Sequence, residues 1–127
     1  MDKNSNSLNW FEIPALDLER AKKFYEAIFA TELEPISEMM GMSMSTFPAA
    51  PDKVSGALVK SQYHVPSATG AWVYLNANPS IQAVVDRIAA AGGTITMPPM
   101  QVSPEIGYMA GFMDSEGNAM ALHANSL

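Results

Sequence analysis

Two ionisable side chains, Glu12 and His123, lie in segments that are otherwise apolar, and both could take part in proton transfer. Glu12 stands in the stretch WFEIP, where an unpaired charge is costly to bury. It is therefore a candidate general base or ligand anchor; the alternative is a structural carboxylate bonded to His123 or to backbone amides. His123 is a candidate acid–base partner or metal ligand; the alternative is a polar residue satisfied near a strand end. Glu12 and His123 form the candidate catalytic pair.

Three aromatic side chains, Trp10, Trp72 and Tyr74, could stack on a flat ligand, because aromatic rings combine a large contact area with a polar edge. The alternative is that they fill the core between two sheets. His64 lies beside Tyr63 in a polar stretch and is expected to be an exposed loop residue. A metal held by Glu12 and His123 would need a third ligand, and none is evident in the sequence.

Alternating and helical patterns place these side chains on regular elements. A strand over 8–14 puts Trp10 and Glu12 on one face, and Asp17 is a plausible N-cap for the helix that follows. The buried stripe predicted for that helix consists of Ala21, Phe24, Tyr25, Ile28 and Phe29. Further strands are predicted over 32–37, 41–47 and 54–60, and 62–70 is predicted to link the two halves of the chain.

The second half repeats this order. A strand over 71–76 precedes a helix that starts at 78–80 and ends at Gly92-Gly93, and strands follow around 94–97, 107–113 and 118–124. The predicted fold is α+β: two paired βαβββ modules whose curved sheets enclose a cup-shaped cavity. We expect one domain over 1–127, with module one at about 8–61 and module two at about 70–124. Alternation then places Tyr74 on the face of Trp72, and His123 on the face of Ala121.

The composition excludes several classes of function. A net charge of −6 with seven scattered basic residues argues against nucleic-acid binding, which needs clustered Lys and Arg. The chain has no cysteine, so thiolate catalysis and Cys-based metal sites are excluded. The polar first seven residues do not resemble a signal peptide, and no apolar run approaches the ~20 residues that span a bilayer. We therefore expect a cytoplasmic protein with no membrane partner.

Several of these segments resemble the vicinal oxygen chelate superfamily, which includes glyoxalase I, bleomycin resistance proteins and extradiol dioxygenases. The resemblance rests on the opening strand Asn9–Pro14, the helix start Asp17–Ala21 followed by Phe24-Tyr25, and the closing turn Phe112–Asn118. It covers residues from about 8 to 124. It implies two paired βαβββ modules around a cup, built either within one chain or across two, and usually a homodimer.

The resemblance also implies where a metal would bind. Metal-using members place one ligand on each of four central strands, and three of those positions here are Trp10, Trp72 and Ala121. The remaining position falls in 54–60, which contains no Asp, Glu or His. Indole and methyl groups donate no lone pair to a cation, so no metal cofactor is expected. If these three residues point into the cup, then Glu12, Tyr74 and His123 point into it as well.

Two functions follow from this arrangement. The first is a glyoxalase-like protein that binds a small apolar or aromatic molecule in the cavity without metal; Trp10, Trp72 and Tyr74 would contact the ligand. The second is a lyase, isomerase or dioxygenase-like enzyme that uses Glu12 and His123 for proton transfer or a rebuilt metal site. In both interpretations we expect a homodimer and a small-molecule partner.

Overall fold

The computed structural model describes residues 1–127 and contains eight strands and two helices. In chain order the elements are β1 (Trp10–Pro14), α1 (Leu18–Phe29), β2 (Ser37–Met39), β3 (Met42–Thr46), β4 (Ser55–Lys60), β5 (Tyr74–Asn76), α2 (Ile81–Ala91), β6 (Thr94–Ser103), β7 (Gly107–Met113) and β8 (Ala119–Ala124). The βαβββ order occurs twice, as the sequence predicts. Neither helix is long and apolar enough to cross a membrane.

Each module forms its own four-stranded sheet. Sheet A has the strand order β1-β4-β3-β2 and sheet B has the equivalent order β5-β8-β7-β6. In each sheet the first strand runs parallel to the last strand of its module, and the other pairs are antiparallel. Because β1 and β5 each pair on one side only, both are edge strands and no ladder joins the two sheets.

Three strand predictions differ from the structure. The strand predicted over 32–37 begins only at Ser37, since Pro35 has no backbone N–H to donate to a ladder. The strand predicted over 71–76 is regular only from Tyr74, so Trp72 precedes β5. β6 extends well past 97, and its pairing with β7 shifts register between Met97 and Met100, where two prolines interrupt it.

The starts of both helices and the end of α2 follow signals in the sequence, whereas α1 ends at Ala30, an alanine with a φ of 50°. The Asp17 side chain accepts from the N–H of Arg20, and Ser80 caps α2 in the same way. α2 ends at Gly92, whose φ of 107° lies in the left-handed region that favours glycine. The buried residues of α1 are Leu18, Ala21, Phe24, Tyr25 and Ile28, whereas Phe29 is half-buried.

The helix-facing sides of both sheets share one core. A cluster of 19 buried residues includes side chains from both helices and both sheets, and the rings of Phe24 on α1 and Phe112 on β7 lie 6.1 Å apart. The opposite sides, which we call the open faces, do not cover each other. Trp10 is 44% exposed on one open face, and Tyr74 is 50% exposed on the other. The modules are therefore as predicted, but within this chain the sheets do not close over a cavity.

A buried polar loop, Asp114–Asn118, joins the modules. The Glu116 carboxylate accepts from the backbone N–H groups of Leu16 (2.9 Å) and Asp17 (2.7 Å), and from Arg20 Nε (2.6 Å). Asp114 accepts from the Tyr25 hydroxyl at 2.7 Å. These bonds hold the corner between β1 and α1 against the second module.

Asn118 adds a further link between the modules. Its Nδ2 donates to the Pro14 carbonyl at 2.8 Å, and its Oδ1 accepts from the N–H of Ser67 at 3.1 Å. Turn chemistry alone would leave this side chain in solvent, yet Asn118 is buried. Asn118 therefore fixes the linker and β1 together at one end of sheet B.

Burial of Glu116 acts to raise its pKa, but the hydrogen bonds from Arg20 and the Asp17 N–H, together with the charge of Arg20, outweigh it and lower the pKa. A carboxyl group with a lower pKa in the folded than in the unfolded state stabilises the fold above its unfolded pKa. That contribution is lost as the pH falls through the folded pKa. Glu116 therefore makes the fold more stable at neutral pH than in acid.

We predict that Glu116→Gln lowers the free energy of unfolding by about 2 kcal/mol at neutral pH, because two N–H donors and Arg20 lose a charged acceptor. Below about pH 4, the pKa range of glutamate in an unfolded chain, the difference from wild type should start to shrink, since the unfolded wild-type chain then takes up a proton that the folded chain does not. Urea denaturation across this pH range measures both effects. Glu19→Gln, an exposed carboxylate in the first turn of α1, is the control. A gap between Glu116→Gln and wild type that does not depend on pH would contradict the prediction.

Candidate functional site

β1 directs its side chains alternately to the core and to the open face of sheet A. Phe11 and Ile13 contact the core, whereas Trp10 and Glu12 lie on the open face, opposite Ser55 and Ala57 of β4. Trp10 is 44% exposed, and 30% of the Glu12 side chain is accessible. The Trp10 Nε1 lies 3.4 Å from Glu12 Oε2, a long hydrogen bond between neighbours on one face.

His64, from the linker, is the partner of Glu12. Its Nε2 lies 3.0 Å from Glu12 Oε1, and only 17% of its side chain is exposed. The expectation of an exposed loop residue at position 64 is therefore wrong. The physical reason is that the linker turns back across the end of β4 and brings residue 64 beside residue 12. No feature near Glu12 in the sequence signals this contact.

Ser61 completes a hydrogen-bonded chain with His64. The Ser61 Oγ lies 2.7 Å from His64 Nδ1, and it accepts from the N–H of Tyr63 at 3.0 Å. Since Ser61 already accepts from that amide, its hydroxyl proton is available for Nδ1. The Nε2 proton of a neutral imidazole then donates to Glu12. The geometry is satisfied by a neutral His64 beside an ionised Glu12.

Tyr74 and His123 lie on the open face of sheet B. Tyr74 on β5 is directly opposite Ala121 on β8, and Asn76 is opposite His123. His123 Nε2 lies 2.7 Å from the Ile106 carbonyl, which can only accept, so Nε2 carries the proton and Nδ1 is unprotonated in a neutral ring. Trp72, 53% exposed, precedes this strand.

The structure does not join Glu12 to His123. Glu12 bonds to His64 and Trp10, whereas the bond of His123 is to a backbone carbonyl of its own module. The alternative that Glu12 is a structural carboxylate bonded to His123 is therefore wrong. The predicted residues form two groups, with Trp10 and Glu12 on sheet A and Tyr74 and His123 on sheet B.

A cleft lies between the free edge of β1 and the linker. It has a volume of about 140 Å³ and is lined on one side by Glu12, Ile13 and Pro14. Across it lie linker side chains, among them Thr69 and Val73. A larger depression of about 470 Å³ lies beside the start of α1, and none of the predicted site residues lines it. Of these two concavities, only the smaller cleft is lined by a predicted site residue, Glu12.

Methionine is the commonest side chain on the two open faces. Strand register places on these faces Met39, Met42, Met44, Met97, Met100, Met109 and Met113. On sheet A, Met44 packs with Ala57 and Val59 in a small apolar cluster separate from the main core. Methionine is flexible and polarisable, and it adapts to irregular apolar partners. The open faces are therefore rich in adaptable apolar side chains.

The sequence profile of the glyoxalase/bleomycin resistance protein/dioxygenase superfamily matches residues 7–122. The chain belongs to this superfamily. It is 30% identical over 117 residues to a glyoxylase-like domain-containing protein from Didymella fabae, covering 91% of each chain. It is 28% identical over 125 residues to the anthracycline biosynthesis protein DauV from a Streptomyces species, covering 89% of this chain and 45% of that protein.

Solved structures of the superfamily share the fold. A glyoxalase I variant from Zea mays superimposes with a TM-score of 0.70 at 23% identity, over 91% of this chain and 45% of that one. A glyoxalase/bleomycin resistance protein from Albidiferax ferrireducens gives 0.66 at 20% identity, over 94% and 98%. The chain thus spans about half the length of the maize enzyme and of DauV.

The residues present do not fit the metal site of the superfamily's metal-using members. Trp10, Trp72 and Ala121 offer no donor atoms, and the open face of β4 carries Ser55, Ala57 and Val59 but no His, Asp or Glu. No three His, Asp or Glu side chains are grouped so that they could hold a metal ion. The chain is therefore a glyoxalase-like member that lacks the usual metal ligands.

We predict that His64→Ala changes the environment of Trp10 while leaving the fold nearly as stable. The partly exposed pair with Glu12 contributes less than about 1 kcal/mol, so the free energy of unfolding should change little. In a Trp72→Phe background, Trp10 is the only tryptophan, and its emission should shift once Glu12 loses its partner. His123→Ala is the control and should leave this emission unchanged. An unshifted spectrum in His64→Ala would contradict the Glu12–His64 contact.

Proposed function

We propose that this protein binds a small apolar or aromatic molecule on its open faces without a metal. Trp10, Trp72 and Tyr74 would stack on the ligand, and Glu12 and His123 would make directional contacts. The observation that carries the proposal is that large aromatic side chains are held exposed on ordered strands or beside them. Two of them, Trp10 and Trp72, stand at positions where metal-using relatives place ligands, and Glu12 lies beside Trp10.

The proposed site is completed by a second copy of the chain. β1 and β5 are unpaired edges, and the methionine-rich faces beside them are uncovered within one chain. A homodimer that brings the open face of sheet A against that of sheet B from another copy would enclose both groups of site residues. Such closure would produce the cup that the single chain does not form.

Similarity to known proteins supports an aromatic ligand. One relative is named for anthracycline biosynthesis, and this chain matches about half of that protein's length. The proposal includes a cytoplasmic location and no membrane partner. It also includes no nucleic-acid partner, since none of the seven basic residues lies on an open strand face.

A second candidate function is an enzyme of the lyase, isomerase or dioxygenase-like kind. The observation that favours it is the unprotonated Nδ1 of His123, a potential base on one open face, together with the carboxylate of Glu12 on the other. Proton transfer between them and a substrate would require the closure described above. Glu12→Gln and His123→Ala would then each abolish turnover while the ligand still binds.

We predict that 9-anthracenemethanol, a neutral planar probe, quenches the tryptophan emission in a saturable way. Trp72→Ala should weaken its affinity about tenfold, since loss of one aromatic contact costs about 1–1.5 kcal/mol. Tyr63→Ala removes an exposed aromatic ring of the linker and should leave the affinity unchanged. Adding EDTA should have no effect on either protein. Equal affinities of the probe for wild type and Trp72→Ala would show that Trp72 does not contact it. A loss of binding in EDTA would contradict metal independence.

We predict that the protein has twice the mass of its chain in size-exclusion chromatography with light scattering. Tyr74→Lys should shift it towards the monomer, because a lysine on an edge strand opposes pairing and face contact. Tyr63→Lys adds the same charge in the linker and should leave the dimer intact. A monomeric wild type, or a dimer that Tyr74→Lys does not weaken, would contradict closure by this edge.

A further inference from the structure

We infer that the ligand of this site is an aromatic cation: a planar ring that stacks on Trp10 and carries a protonated amine bound by Glu12. The inference rests on the proposed function and narrows it from aromatic molecules in general to positively charged ones. Two features of the structure support it, the distribution of charge and the hydrogen bonding of Glu12, and the cleft beside Glu12 has room for the amine.

The open faces carry no positive side chain. The seven basic residues lie in the N-terminal segment, on the helices, in the β3–β4 loop and on the core side of β4; they are Lys3, Arg20, Lys22, Lys23, Lys53, Lys60 and Arg87. On the strands' open faces Glu12 is the only acidic residue. An anionic ligand would meet a carboxylate there and no counter-charge, whereas a cation would meet its complement.

The Glu12 network leaves one carboxylate oxygen open to a ligand. Ser61 can donate to Nδ1 of His64, and Nε2–H of the neutral ring can then donate to Glu12 Oε1, so no positive charge is needed to satisfy these atoms. The other oxygen, Oε2, has only the 3.4 Å contact with the Trp10 indole. Its lone pairs remain free for a stronger donor, and an ammonium group has three N–H bonds to give.

The cleft beside Glu12 has room for an amine head group. Its volume of about 140 Å³ admits an aminomethyl group, although the size alone does not favour a cation over a neutral group. The Thr69 side chain also lines it, and a hydroxyl group can accept from an ammonium. Because Trp10 adjoins Glu12, a ring outside the cleft would lie against the indole, where a nearby positive charge also gains cation–π attraction.

Three anthracene probes of equal ring size test the charge preference. They are 9-(aminomethyl)anthracene, 9-anthracenemethanol and 9-anthracenecarboxylate, titrated into the full chain and followed by quenching of the two tryptophans at neutral pH. The amine should bind about tenfold tighter than the carboxylate, with the alcohol between them. In about 1 M NaCl, where the Debye length falls to ~3 Å, this ratio should approach one.

Two variants with the same net charge locate the effect. Glu12→Gln should abolish the preference, so that the amine and the carboxylate bind with similar affinities. Glu38→Gln, on the same sheet but paired with Ser43 on its core side, should retain the preference. Equal binding of amine and carboxylate to wild type would overturn the inference while leaving the proposed function in place. If none of the three probes binds, both fall. If Glu12→Gln does not fold, the ratio of amine to carboxylate affinity in the wild type, and its dependence on salt, still test the inference.

Discussion

The buried carboxylate of Glu116 is the interaction on which the rest of the structure depends. It satisfies two backbone N–H groups at the corner between β1 and α1 and binds Arg20, although it belongs to the other module, about a hundred residues later in the chain. An unpaired carboxylate at this depth would be strongly destabilising, so the loop that carries it must lie against that corner. Because β1 also carries Trp10 and Glu12, the same contact sets where the site lies.

The sequence predicts those parts of the fold that local rules determine. Asp17 and Ser80 cap the helices, the apolar spacing of α1 marks its buried side, and alternation in β1 places Trp10 and Glu12 together. The fold family was likewise predicted from short segments. The irregular segment before β5 and the late start of β2 could not be predicted, because prolines and a long linker weaken the period-2 pattern there.

The site was less predictable because its contacts are long-range. His64 bonds to Glu12 across 52 positions, and Asn118 bonds to Pro14 across 104. Nothing local distinguishes a linker histidine that turns back onto a strand from one that remains in solvent. A charge in an apolar strand does signal that some partner must exist, and that signal for Glu12 was correct. It does not say which part of the chain supplies the partner.

The shared core has a consequence for how the chain unfolds. Neither half has a complete set of stabilising contacts by itself. The start of α1 and its Tyr25 hydrogen-bond to Glu116 and Asp114 of the second half, and Phe24 packs on Phe112. Separating the two halves would leave α1 without its hydrogen bonds to Glu116 and Asp114 and would expose the apolar side of each sheet. The repeat visible in the sequence is therefore one cooperative unit, and melting should show a single transition. A lone βαβββ half could recover such contacts only by associating with another half.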